Sequence, residues 1–321
     1  MIYVYAPSMA IIPWIMARCS WDDIIVISNN KKLLNFCRKC EIKYINIESN
    51  LDFSFNGLRK YKNYIHNIAL DIEKDSDIFF SHNSHDYWGL YLMKYLFQNN
   101  SIYYVSLMDE HKPTSIKKIF FLKKGILLFK DRLILFVVTR YWFSILSFNK
   151  YLFLGQNVKT IQKLYQTSSL EENTSILQKN QKKIKEIYNI HNLKYILVDQ
   201  GETFYTYPEK LQTFLVNFSK NNTKIYLKQH PNFETVNNEL IENLINLPRE
   251  LPIELILESK TILIGIASNA LKHHHTVVSL LKLITFKTNC TYGDYYGFLN
   301  GSRIVFPKTI TELDKIISDI K

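Results

Sequence analysis

The sequence predicts an α/β chain of two Rossmann-like domains, with mainly parallel sheets facing a central cleft. Three observations carry this expectation. Short β-rich runs alternate with helix-length stretches along most of the chain, the rhythm of a parallel sheet covered by helices on both faces. A polar segment, Gln166–Lys185, interrupts that rhythm once and serves as linker or exposed helix. The length of 321 residues is enough for two domains of ordinary size. An apolar content of 47% against 21% charged residues indicates a chain folded throughout. The domain boundary is placed between 155 and 156, giving domains 1–155 and 156–321.

In the first half the expected strands are Ile2–Ala6, Asp23–Ser28, Tyr44–Ile47, Asp77–Ser81 and Ile102–Leu107, each rich in β-branched or aromatic residues. Helices are expected over Met9–Arg18, Lys31–Lys39, Leu58–Lys74 and Tyr87–Gln98. The second half repeats the pattern with strand Tyr195–Val198, helix Pro208–Lys220, strand Lys224–Lys228 and helix Thr235–Asn246. A short strand near Leu255–Leu257, strand Thr261–Gly265 and helix Ser268–Leu281 follow. Leu283–Lys287 and Arg303–Phe306 read as final strands and Thr309–Ile320 as a closing helix, whose start has the Thr309/Glu312 spacing of a capping box.

Bulk chemistry narrows the function. A formal charge of +11 favours an anionic partner: a nucleotide, a charged glycan or a membrane surface. Of the four cysteines, Cys37 and Cys40 form one C-x-x-C with no second pair to complete a zinc site; a redox role is one reading, and reduced thiols on a helix are the expected one. Met1–Ala6 lacks the basic start of a signal peptide, which makes the expected location cytoplasmic. Ile119–Leu154 is apolar and aromatic, but charged residues leave no uncharged run of about 18 residues that could span a bilayer. Nine Lys/Arg and one acidic residue lie between Lys112 and Lys150. That segment fits either an interfacial amphipathic piece or a pair of buried helices with solvated basic faces.

Ligands of doubly wound sheets bind at the carboxyl ends of the strands, and polar clusters fall there four times. They are Met108–His111, Asp199-Gln200-Gly201-Glu202, Gln229-His230-Pro231 and, after Thr261–Gly265, Ser268-Asn269. His230 either bonds a neighbouring carbonyl or, protonated, supports a phosphate oxygen. Ser268 and Asn269 are good helix caps, and a capped N-terminus also suits an anion. Asp109 and Glu110 form a solvated turn or place a carboxylate to take a proton. Glu254 sits in an apolar stretch; it is an exposed edge residue, or, if buried, needs a donor such as a ribose diol. His82, His85 and Trp88 follow a strand and could contact a sugar acceptor, Trp88 by stacking; the alternative is a loop with a buried Trp. Adjacent histidines on a helix diverge by about 100°, so His273-His274-His275 is read as a helix face near the active edge and not as a metal site. Asp75-Ser76-Asp77 has the D-x-D spacing of metal-dependent sugar transferases but begins a strand, so it reads as a solvated turn. No phosphate-binding glycine motif or nucleophile elbow occurs.

In their order, the acidic pair, His-Pro and Ser with a polar neighbour resemble bacterial sialyltransferases of the lipooligosaccharide type (glycosyltransferase family 52) and the related capsular polysialyltransferases. The opening Tyr3–Ser8 is also similar. The family's acidic motif falls on Asp109-Glu110, its HP motif on His230-Pro231 and its S-S/T motif on Ser268-Asn269; Glu254 takes the place of the acid that holds the CMP ribose. His111 replaces the motif glycine, and Asn269 the second hydroxyl.

The resemblance implies a GT-B-like fold with the acceptor and general base on the N-terminal domain and the donor on the C-terminal one. It implies inverting, metal-independent transfer of sialic acid from CMP-sialic acid to a hydroxyl of a lipooligosaccharide, O-antigen or capsule glycan. Glu110 or Asp109 acts as base and His230 on the leaving group. Pro231, Glu254, Ser268, Asn269, Gln200 and Gly265 complete the donor side, and His82, His85 and Trp88 the acceptor side. Neither a cofactor nor a metal is expected. The expected partners are CMP-sialic acid and a glycan acceptor, lipid-linked in one version, with peripheral contact at the inner face of the plasma membrane in keeping with the basic surface; no nucleic acid is expected. Alternatives within transferases are a CMP-Kdo transferase and a CDP-glycerol glycerophosphotransferase; outside them stands a non-catalytic basic membrane-associated protein.

Overall fold

The computed structural model describes residues 1–9, 11–48, 55–80, 87–96, 99–105, 142–147, 150–154, 172–191, 193–199, 205–221, 224–230, 238–266, 271, 274, 276–286 and 304–319. The chain forms two compact units, Met1–Asn180 and Gln181–Lys321. The boundary expected at 155/156 falls outside the described residues.

The first unit is built on five strands: β1 (Ile2–Tyr5), β2 (Ile24–Ser28), β3 (Lys43–Asn46), β4 (Asp77–Phe80) and β5 (Ser101–Tyr104). All pair in parallel in the order β3-β2-β1-β4-β5. Helices α1 (Ile11–Met16), α2 (Lys31–Lys39), α3 (Phe55–Leu70) and α4 (Tyr87–Leu96) connect them. Side chains alternate across a strand, and both faces are apolar. Tyr3, Tyr5, Ile78 and Phe80 pack with Ile65 and Ile68 of α3 and Leu92 and Leu96 of α4. The intervening Phe79 meets Trp14 of α1 and stacks on Tyr103. Asn30 caps α2 by accepting from the N–H groups of Lys32 and Leu33. Further along, β6 (Trp142–Ser147) and β7 (Lys150–Leu154) pair antiparallel.

The second unit has six parallel strands: β8 (Tyr195–Val198), β10 (Ile225–Lys228), β11 (Ile245–Leu247), β12 (Ile262–Gly265), β13 (Val277–Ser279) and β15 (Ile304–Val305). Their order is β11-β10-β8-β12-β13-β15. Counted within the unit this is 3-2-1-4-5-6, the Rossmann order, and the first unit follows the same 3-2-1-4-5 path. Two short strands, β9 (Tyr205–Thr206) and β14 (Thr285–Phe286), make a separate antiparallel ribbon. The helices are α5 (Thr174–Ile187), which begins in the first unit, then α6 (Glu209–Asn221), α7 (Asn238–Asn243) and α8 (Ile310–Asp319). Thr309 caps α8 by accepting from Glu312 N–H at 3.1 Å. The Glu312 carboxylate reaches back to the Lys308 N–H at 2.7 Å, one residue earlier than a strict capping box requires.

Four expectations are corrected. Of the helix expected over Thr235–Asn246, Asn238–Asn243 forms α7, residues 235–237 lie outside the described residues, and Ile245–Leu247 joins the sheet as β11; Pro248 disfavours helical geometry at the residue before it. Leu255–Leu257 is not a strand, because a 3₁₀ turn over Ile253–Leu255 follows Pro252. The end of the expected helix Ser268–Leu281 is instead strand β13 and a 3₁₀ turn, Leu280–Lys282; the β-branched pair Val277-Val278 is buried between neighbouring strands. Within Ile119–Leu154, residues 142–154 contain the β6–β7 pair where buried helices were one of the expectations; residues 119–141 lie outside the described residues.

At the centre of the second sheet Gly265 is paired with Val198. A Cβ on Gly265 would stand 3.0 Å from the Val198 carbonyl oxygen and 3.3 Å from Leu271 Cδ1. Since strand backbone cannot swing aside as a side chain can, Gly265→Ala is expected to destabilise the protein by about 1–3 kcal/mol, as overpacking does. A denaturant midpoint equal to that of the unchanged protein would refute the close approach.

Cys19, Cys37 and Cys40 are buried thiols. Burial pushes the Cys19 thiol up to about 11 and the Cys37 thiol up to about 12. Because the folded state favours the protonated thiol, this contribution to stability is complete below pH 9.0, the ordinary value, and is lost as pH rises toward those folded values. Native protein at pH 8 should therefore resist iodoacetamide at Cys19 and Cys37, both becoming labelled only on unfolding. Mass spectrometry of tryptic peptides reads the outcome, and prompt native labelling would contradict it.

Candidate functional site

The strand order of the second unit fixes where chemistry can be placed. Chain connections leave β8 toward β10 and leave β12 toward β13, on opposite sides of the β8/β12 pair. Such a topological switch point opens a crevice beyond the strand C-termini. Here those termini are Val198-Asp199 and Gly265-Ile266, with Lys228-Gln229-His230 one strand away.

Residues at this edge are held by a dense set of hydrogen bonds. The Asp199 N–H donates to Lys228 O at 2.9 Å, extending the ladder one residue past β8. The buried Asp199 carboxyl accepts from the hydroxyls of Tyr205 at 2.9 Å and Tyr207 at 3.2 Å. The two rings meet edge to face. Burial, and then the neighbouring Tyr205 and Asp199, hold the Tyr207 hydroxyl well above its ordinary range, so it stays a donor. Lys228 is 6% exposed, and its ammonium donates to Gln229 O at 3.1 Å and Arg249 O at 3.0 Å. The Gln229 side chain is buried as well. Its Oε1 accepts from Arg249 Nε at 2.9 Å and Nη2 at 2.5 Å, and its Nε2 donates to Asn246 Oδ1 at 3.1 Å. Across the sheet, Ser279 Oγ donates to Ile266 O at 3.0 Å, anchoring the exit of β12.

Of the expected site residues, His230 and Gly265 come to one edge of one sheet, His230 half-buried and Gly265 buried. Glu254 is exposed and sits in the 3₁₀ turn of the segment that runs from the end of β11 to the start of β12. Trp88 lies in the first turn of α4, and its side chain is outside the described residues. Asp109, Glu110, His82, His85, Gln200, Pro231, Ser268 and Asn269 are outside the described residues as well.

The histidine triplet is corrected. His274 bonds Thr261 O, immediately before β12, which places it at the amino-terminal edge of the sheet and away from the strand C-termini. His273 and His275 are outside the described residues. Asp75-Ser76-Asp77 occupies the turn entering β4, with Asp75 at φ 59° and its N–H donating to Asn99 O. Among the described residues no group of three or more His, Cys, Asp or Glu is arranged to hold a metal ion. No described helix is long and apolar enough to cross a membrane.

The sequence marks the clusters containing Asp199 and Gln229 without selecting either residue, and gives no place to Lys228, Arg249 or the tyrosine pair. For Asp199, Lys228 and Gln229 the available signal is position at a β-run's end. Arg249 had none, because it reaches Gln229 only through the parallel pairing of β10 with β11.

No family model and no curated protein matches the chain. Among solved structures it is similar to a glycosyltransferase from Rickettsia africae ESF-5, at 14% identity over 99% of this chain and 87% of that one, with a TM-score of 0.38. It is similar to UDP-GlcNAc 2-epimerase from Neisseria meningitidis bound to UDP-GlcNAc, at 10% identity over 99% and 90%, with a TM-score of 0.44. It is also similar to the 2,6-sialyltransferase of Photobacterium sp. JT-ISH-224 in complex with CMP and lactose, at 13% identity over 95% and 78%, with a TM-score of 0.39. Two of the three are transferases and one is an epimerase, and at these values the likeness is one of fold alone.

Proposed function

We propose that the protein is an inverting, metal-independent glycosyltransferase that moves sialic acid from CMP-sialic acid to a hydroxyl of a cell-surface glycan. The observation that carries this reading is the position of His230. The His-Pro motif shared with bacterial sialyltransferases falls at the carboxyl end of β10, one strand from the β8/β12 switch point of a sheet in Rossmann order. That edge of the sheet is where a nucleotide binds in such folds.

In this reading the two Rossmann-like units form a GT-B enzyme, with acceptor and base on the first and donor on the second. Glu110 or Asp109 removes the proton of the acceptor hydroxyl. That oxygen bonds to the anomeric carbon of sialic acid as the bond from this carbon to the CMP phosphate oxygen breaks, with inversion. Charge gathers on the departing phosphate, and His230 with Ser268 and Asn269 stabilises it; such electrostatic stabilisation is usually the largest contribution. CMP leaves with a single phosphate, so the proposed reaction assigns no step to a divalent ion. Gly265 keeps the floor of the site free of a side chain, Gln200 and Pro231 shape its walls, and Glu254 holds the ribose diol. His82, His85 and Trp88 receive the acceptor sugar. The excess of cations suits an enzyme working in the cytoplasm at the inner membrane face, where anionic lipid and lipid-linked glycan meet.

CMP should raise the stability of the folded protein, by about 2.7 kcal/mol when free CMP stands at 100 times Kd. Scanning calorimetry with and without CMP checks this, and an unmoved transition at millimolar CMP would remove the donor assignment.

His230→Ala and Glu110→Gln should each lower transfer from CMP-sialic acid by at least about 10²-fold while far-UV circular dichroism stays native. Full activity in either variant would exclude that residue from the mechanism. Parallel assays with CMP-Kdo and CDP-glycerol separate the proposed donor from its nearest chemical rivals; turnover of one of these alone would transfer the reading to that donor class.

A further inference from the structure

We infer that Arg249 and Gln229 are positioning residues for His230, acting through the peptide that joins Gln229 to His230. This rests on the reading of His230 as the leaving-group residue, and it extends that reading to side chains outside the motif.

The geometry is specific to that peptide. Its carbonyl is Gln229 O, which accepts from the buried ammonium of Lys228 at 3.1 Å. The same ammonium donates to Arg249 O at 3.0 Å, so one side chain ties the end of β10 to the turn after β11. From the other direction Arg249 grips the Gln229 side chain with two donors on one acceptor, Nε at 2.9 Å and Nη2 at 2.5 Å. The remaining end of the Gln229 amide donates to Asn246 Oδ1. Asn246 is itself anchored by donating to Ile241 O and Leu244 O at the end of α7. Gln229 is 7% exposed, so water does not compete freely for these bonds. The residue preceding His230 is thus fixed at its backbone oxygen and at both ends of its side-chain amide. A strand that has just ended would otherwise rotate about two soft dihedrals per residue, and a 1 Å displacement of a catalytic group is enough to lose about 10²-fold in rate.

A lysine cannot reproduce the planar fork of arginine, though it keeps the charge. That difference separates positioning from simple electrostatics. The test compares Gln229→Met, Arg249→Met, Arg249→Lys and the double variant Gln229→Met/Arg249→Met. Steady-state kinetics with CMP-sialic acid are measured alongside the imidazole Cε1–H signal of His230, identified by its disappearance in His230→Ala. Each single variant, Arg249→Lys included, is expected to lower kcat about 10-fold or more with KM for the donor changed less than 3-fold. The double variant should lose no more than the worse single one, because both act along one path. The His230 signal should shift in all of them.

If Arg249→Lys keeps full kcat, the guanidinium fork is not what matters and the inference fails. Losses that multiply in the double variant, or an unmoved His230 signal, overturn it equally. The half-buried Arg249 supplies the decisive variant should Gln229→Met not fold. If the unchanged protein does not turn over CMP-sialic acid, the functional reading falls while the His230 signal in the variants still decides the positioning claim.

Discussion

The close approach of β12 to β8 governs the second unit. Gly265 pairs with Val198, and the space where its side chain would stand is taken up to 3.0 Å by a backbone oxygen. This approach occurs at the last paired position of both strands, where the chain connections diverge. A larger residue there would push apart the two strands at their carboxyl ends or press on the buried Leu271 side chain. One missing Cβ therefore keeps β8 and β12 in register where their chains part. On the other side of β8 the ladder runs one residue further, Asp199 donating to Lys228 O.

Much of the sheet framework was legible because parallel strands buried on both faces leave continuous apolar runs. Tyr195–Val198 and Ile225–Lys228 are buried at every position, and so are found as runs whatever the neighbours do. Two of the failures share one cause. The segments expected as helices Thr235–Asn246 and Ser268–Leu281 carry apolar residues at spacings that suit a helix, and a short run of three cannot be told from a helical turn by period alone. Tertiary pairing then decides: Ile245–Leu247 and Val277–Ser279 complete ladders against β10 and β12. The histidine triplet was misplaced with them, since assigning its segment to a helix after β12 moved His274 to the wrong edge of the sheet. In the candidate site, His230 and Gly265 were legible as residues at strand ends. The Gln229–Arg249 contact was not, because it depends on which strand lies beside β10.

Polar groups are rarely buried without partners, and the few fully buried polar side chains explain local order in both units. Asn180 donates to Met16 O and Cys19 O and accepts from the Trp21 N–H, closing the end of α1 with a single amide. There an amide side chain supplies partners that the backbone loses at a helix terminus. At the end of β10 the Gln229 amide instead bonds two side chains, those of Arg249 and Asn246. Leaving any of these donors or acceptors unmatched costs about 1–3 kcal/mol, far more than each bond contributes. The asymmetry penalises alternative arrangements of the termini more than it stabilises the native one. Such amides therefore specify the ends of elements, where apolar packing is least discriminating.

Charged side chains at the candidate edge are held by hydrogen bonds as well. Lys228 and Arg249 bring two cations to it, and Asp199 brings a carboxyl group that accepts from two tyrosine hydroxyls. The two hydroxyls hold the Asp199 carboxyl group in place at the end of β8. Lys228 donates to the carbonyl oxygens of Gln229 and Arg249 and is nearly excluded from water, and charges in such surroundings are screened only weakly by solvent and salt. Both basic side chains are thus fixed by the framework of β10 and the turn after β11, and polar groups fixed in advance need no reorganisation when charge develops beside them.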